Sequence, residues 1–102
     1  MPTLQHLRTL AYHRQHGRCC YCDLPMWLSS PAELKLRNRA AKPFQCTAEH
    51  LLARRDGGRD VAVNIAAACW LCNTRRHQRK TPPHPDAYRA LVQRRMARGK
   101  WR

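Results

Sequence analysis

Residues 46–80 read CTAEHLLARRDGGRDVAVNIAAACWLCNTRRHQRK, and this stretch decides the fold. A carboxylate and a histidine are adjacent at Glu49 and His50, and Gly57-Gly58 follows as a turn. Then come Asn64, a Cys-x2-Cys pair at Cys69 and Cys72, Asn73, and His77. A second pair with the same spacing lies upstream at Cys19 and Cys22. A Cys-x2-Cys turn presents two sulfurs to one side of an ion, and two such turns complete the tetrahedron that structural Zn2+ prefers. The 46 residues between the pairs then form an excursion tied at its base by metal. Buried or oxidised cysteines are the bland alternative, but they do not account for the repeated spacing. Cys20 has the wrong spacing to Cys22 for a ligand, and Cys46 reads as a small buried hydrophobe.

The whole chain has 102 residues, with 20 Lys or Arg against 6 Asp or Glu, a net charge of +14. That length predicts one domain, residues 1–102, with a core over about 18–80 and a basic C-terminal extension over 81–102. A domain this small buries a modest core and gains from a metal staple. So large a positive excess opposes compaction and attracts polyanions, which makes nucleic acid the expected partner. No run approaches the ~20 apolar residues of a membrane span, and residues 1–17 lack the apolar core and cleavage site of a secretory signal. The expectation is a cytoplasmic chain without a membrane partner, whose cysteines are reduced or metal-bound. Nothing in the sequence sets an oligomeric state.

Periodicity predicts a helix over 3–16, capped by Thr3, with Leu4, Leu7, Leu10 and Ala11 on its core face and Gly17 as its stop. Ser30, Pro31 and Glu33 resemble a capping box, predicting a short helix over about 31–39. Met26, Trp27, Leu28, Leu34 and Leu36 would cover the core. Strands are expected over 44–52 and 61–68, the second interrupted near Asn64, and helices over 72–80 and 86–98. Asp86 would cap the last helix, with Tyr88, Leu91, Val92 and Met96 inward.

Taken together, Cys19-x2-Cys22, Glu49-His50, Gly57-Gly58, Asn64 and Cys69-x2-Cys72-Asn73 resemble the HNH endonuclease family in its four-cysteine form. The resemblance implies an α+β fold: a small zinc-stapled ββα-metal unit flanked by N- and C-terminal helices. It implies metal-dependent cleavage of double-stranded DNA, with His50 as the general base and Asn64 holding its ring. It makes Glu49 and Asn73 ligands of a catalytic cation, with His77, one helical turn after Asn73, as a further ligand in some relatives.

The chemistry of these residue types agrees. A neutral imidazole, with a reference pKa of ~6.5, takes a proton from water at physiological pH. Mg2+ or Mn2+ on oxygen ligands stabilises the phosphate and the departing 3′ oxygen, and an imidazole ligand widens the choice of divalent ion. Glutamate before the base departs from the commoner Asp or His, which bears on metal preference. Bland roles remain beside the functional ones: Asn64 as a turn residue, Asn73 as a helix cap, His77 as a phosphate contact or a solvated ring. Arg75, Arg76, Arg79 and Lys80, directly after Asn73, are expected to clamp the substrate backbone. The competing function is a catalytically weak or inactive zinc-stapled module that binds nucleic acid. A toxin or mobile-element protein would change the setting and leave the chemistry the same.

Overall fold

The computed structural model describes residues 2–102. Its centre is a two-stranded antiparallel sheet of β1, Cys46–His50, and β2, Ile65–Cys69. The register pairs Cys46 with Cys69, Glu49 with Ala66 and His50 with Ile65. β2 is IAAAC and is buried throughout. Its three alanines let neighbouring elements approach closely, and a strand covered on both sides reads as a continuous apolar run.

Helix α1, Leu4–Arg14, packs on the sheet. The Thr3 side chain accepts from the His6 amide at 3.1 Å, as expected of its cap. Leu7 and Ala11 are buried, whereas Leu10 is 46% exposed, so the inward face is narrower than the leucine pattern predicts. Gln15, just past the helix, grips Ala67 of β2 in both directions. Its Nε2 donates to the Ala67 carbonyl at 2.8 Å, and its Oε1 accepts from the Ala67 amide at 2.9 Å.

The 24–45 segment departs from expectation. The capping box forms, with Glu33 accepting from the Leu28, Ser29 and Ser30 amides. The helix it starts is only a 3-10 turn, Pro31–Leu34, ended by Lys35 at φ 56°. A one-turn helix α2, Asn38–Ala41, follows after the break. Met26 is buried; Trp27, Leu28, Leu34 and Leu36 are half-buried.

Helix α3, Trp70–His77, starts directly at the end of β2 because Cys69 caps it: the Cys69 sulfur accepts from the Cys72 amide at 3.4 Å. Helix α4, Pro85–Ala97, is capped by His84, with Pro85 in its first turn; Asp86 is therefore not the cap. Tyr88 and Val92 are buried, with Leu91 and Met96 packed beside them. The core gathers around the cysteines, where Tyr21, Tyr88 and Trp101 stack edge to face. Among the described residues no helix is long and apolar enough to cross a membrane.

Candidate metal centres and hydrolytic site

The two Cys-x2-Cys turns meet. The sulfurs of Cys19, Cys22, Cys69 and Cys72 lie within 4.8 Å of one another, and all four residues are buried. Cys22 and Cys69 sulfurs are 3.9 Å apart, close to the ~3.8 Å edge of a tetrahedron with zinc–sulfur bonds of about 2.3 Å. The donor set fits zinc. Four thiolates around a dication leave two negative charges, and the chain offsets them with donors. The Tyr21 amide reaches Cys19 at 3.4 Å, Trp101 Nε1 reaches Cys72 at 3.3 Å, and Arg102 Nη2 reaches Cys69 at 3.1 Å. The Arg102 guanidinium also stacks on Phe44. Sequence reasoning missed Trp101 and Arg102, because nothing in a terminal Trp-Arg signals a sulfur partner. Cys46 is buried as expected, and burial pushes its thiol up to about 11.

α3 packs against β1 and brings His77 to Glu49 and Asn73 to Thr47 and Ala48. Glu49 is fully buried. Its Oε1 lies 2.8 Å from His77 Nε2, and its Oε2 accepts from Tyr21 Oη at 2.8 Å and Arg76 Nη1 at 3.2 Å. Burial first, then the Glu49 charge, pushes the Tyr21 phenol far above its usual value, so Tyr21 stays a donor. Asn73 turns its amide nitrogen to β1, donating to Thr47 Oγ1 at 3.0 Å and the Ala48 carbonyl at 3.1 Å. Its Oδ1 accepts no hydrogen bond among the described residues. Asn73 and His77, four apart on α3, share a face. Glu49 Oε1, Asn73 Oδ1 and His77 Nε2 are the atoms on this side of α3 that could hold a divalent cation, with water completing its shell. This donor chemistry fits, although Arg76 already neutralises part of the carboxylate.

Arg76 corrects an expectation. It is 2% exposed and does not lie on an open face. Its guanidinium donates to Glu49 Oε2, to the His50 and Leu51 carbonyls at 2.9 Å each, and twice to the Pro83 carbonyl. It holds the end of β1, the loop after it, and the chain before α4 to one point.

His50 closes β1, with its ring turned into the 51–64 loop. Its Nε2 lies 2.7 Å from Asp60 Oδ1 and 3.1 Å from Arg54 Nε, and Arg54 Nη2 also bonds Asp60 Oδ2 at 3.1 Å. A ring nitrogen cannot both donate to Asp60 and accept from Arg54. The hydrogen bond from His50, with the nearby Arg54 charge, holds the Asp60 carboxyl below its usual value. An Asp60 carboxylate at this distance favours the tautomer with its proton on Nε2 and its lone pair on Nδ1. Nδ1 has no partner among the described residues and is not sealed from solvent. No hydrogen bond links the ring to Glu49, Asn73 or His77 among the described residues; His50 and Glu49 are joined through Arg76. The sequence reading missed Asp60, although an acid two residues after Gly58 was available as a signal.

Asn64 has different partners from those expected. Its Oδ1 accepts from the Leu52 amide at 2.8 Å, and its Nδ2 donates to the Leu52 and Arg59 carbonyls at 3.1 Å. It fixes the loop that carries Asp60 and leaves the ring itself to Asp60. These bonds also stop the second strand early: Ala62–Asn64 is a 3-10 turn, so β2 begins at Ile65. Gly58 allows the loop to close, since a Cβ there would lie 1.7 Å from the Leu52 carbonyl oxygen.

The other expected clamp residues point elsewhere. Arg75 and Arg79 line a cleft with Tyr88, Arg95 and Trp101, and Arg75 stacks on Trp101. Asn73 and His77 face β1, while Arg75 and Arg79 face α4, on the far side of α3. Lys80 is exposed just past α3, and its carbonyl accepts from Arg55.

A family model described as HNH endonuclease matches residues 19–79, more than half of the chain. No curated protein and no solved structure matches it.

Proposed function

Because the chain belongs to the HNH endonuclease family, we propose that residues 1–102 act as one nuclease domain that hydrolyses phosphodiester bonds in DNA with a divalent cation. The observation that carries this is the convergence of Glu49 Oε1 and His77 Nε2, 2.8 Å apart, with the unpartnered Asn73 Oδ1 one helical turn away. Next to Glu49 in the chain is a histidine whose Nε2 lies 2.7 Å from a carboxylate. Mg2+ or Mn2+ bound there would supply charge for the phosphate and the departing 3′ oxygen. His50 Nδ1 takes the proton of the attacking water, and Asp60 stabilises the imidazolium that results. Asn64 and Gly58 keep the loop, and so Asp60, in place. Arg76 fixes Glu49 relative to His50. Zinc on the four cysteines holds the end of β2 and the start of α3 to the Cys19–Cys22 turn.

The test is nicking of supercoiled plasmid across a panel of divalent ions, with His50→Ala beside the parent protein. The variant should lose roughly 10²–10⁴ in rate, the range for a positioned base, and keep its binding. Equal nicking by both proteins removes His50 as base. One observation favours the alternative of an inactive binding module: Glu49 already carries an Arg76 contact at 3.2 Å and a His77 contact at 2.8 Å. A parent protein that binds DNA but nicks with no ion tested would establish that reading.

A further inference from the structure

A cleft of about 430 Å³ lies along β1, away from the His50 loop, between the start of α1 and the start of α3. Arg8, Lys42, Gln45, Thr47, Ala48 and Trp70 line it. Its cations have no acid to answer them. Among the described residues Arg8 and Lys42 make no ion pair, and no acidic side chain borders the cleft. Arg8 Nε is cut off from solvent and has no hydrogen-bond partner. Lys42 is held over the Trp70 ring at 5.7 Å from its centroid.

A buried donor without a partner is costly, and native structures rarely keep one. The backbone adds a donor of the same kind. The Leu51 amide bonds the Asn64 carbonyl and the Trp70 amide bonds the Gln45 carbonyl, so residues 45, 47, 49 and 51 direct their backbone groups towards β2 and its continuation. The alternation leaves the Ala48 N–H on the unpaired edge of β1, beside the cleft. Two cations and a free amide on an acid-free wall describe a site for a phosphate. The cleft is also continuous with the hydrolytic site. Asn73 bonds both Thr47 and Ala48, and Ala48 lies two residues before His50, about 7 Å along a strand. That is about two nucleotide rises of ~3.4 Å.

We propose that the Arg8–Lys42 cleft is a substrate subsite that holds a backbone phosphate of the cut strand one or two nucleotides from the scissile bond. It rests on the nucleic-acid reading above but not on hydrolysis. The measurement is therefore made on His50→Ala protein with a short DNA duplex, without added divalent ion, by fluorescence anisotropy at 50 and 200 mM salt. A phosphate contact contributes a slope of about 0.9 in log affinity against log salt, or about 3.5-fold over this fourfold range. Arg8→Met with Lys42→Met removes that one contact and should flatten the affinity ratio about 3.5-fold. Arg94→Gln with Arg98→Gln removes the same charge from exposed positions at the C-terminal end of α4 and just past it and should flatten it far less. If the double variant fails to fold, Lys42→Met alone, at an exposed position, should flatten it in the same direction, by up to about 3.5-fold. Variants with the parent's salt slope, or a control pair with the same effect as the cleft pair, would overturn the subsite while leaving the nuclease reading intact. A parent protein that does not bind the duplex would overturn both.

Discussion

Replacing Arg76 by methionine tests the placement that most separates this structure from its sequence. The guanidinium is 3% exposed as a side chain, opposite a carboxylate that is fully buried. Removing it deletes a charge-assisted contact to Glu49 Oε2 and four contacts to the His50, Leu51 and Pro83 carbonyls. The methionine stem retains most of the packing, so the loss is electrostatic. Tyr21 and His77 still donate to Glu49, which limits the damage. The carbonyls are only partly buried and recover water. Breaking a buried pair from one side costs about 3–5 kcal/mol, out of the about 5–15 kcal/mol that a domain holds in total. For a domain of this size that lowers Tm by about 12–40 °C. Urea unfolding of the zinc-loaded protein reads the loss directly, and Glu49→Gln with and without Arg76→Met isolates the coupling between the two. A surface clamp behaves in the opposite way, with weaker DNA binding at unchanged stability. A loss below about 1 kcal/mol, the scale of exposed pairs, would refute the buried role.

The purified chain should hold one zinc per molecule by mass spectrometry, and its removal by a chelator should unfold the domain, since binding energy at such sites is folding energy; a folded, zinc-free protein would contradict the cysteine assignment. The Asp60 carboxyl is held below the ordinary 3.8 by its hydrogen bond from His50. Its contribution is present above the unfolded value and is lost as pH falls through the folded one. Asp60→Asn should therefore flatten the acid limb of Tm against pH below about 4, and identical limbs in the two proteins would exclude the pairing. Gly58→Ala must push its new Cβ away from the Leu52 carbonyl, at a cost of about 1–3 kcal/mol; an unshifted urea midpoint would mean that the loop closes differently.

Spacing made the scaffold legible. Two Cys-x2-Cys pairs force one tetrahedron whatever the chain between them does, so the sequence predicts the zinc cluster before any strand is placed. The helix caps at Thr3 and Ser30 are local chemistry and form as read. The prediction faltered where a distant partner decides. Pattern alone could not tell that the capping-box helix would stop at Lys35, or that Asn64 would turn the chain back on Leu52 instead of continuing a ladder.

The same division runs through the site. Glu49, His50, Asn73 and His77 stand out as a candidate set through the resemblance to the HNH family, whose motif fixes their types and order. Their partners do not. Tyr21, Asp60 and Arg76 come from three separate segments, and each finds its target only after β1, α3 and the 51–64 loop have packed. An arginine in a basic run looks solvated until folding supplies three carbonyls and a carboxylate around it. The sequence by itself supplied the candidate side chains for holding metal and moving protons. Tertiary structure alone decided which charges are buried, which face of α3 each cation occupies, and which nitrogen of His50 is left unpartnered, because burial and hydrogen-bond pairing are properties of neighbours that are remote in the chain.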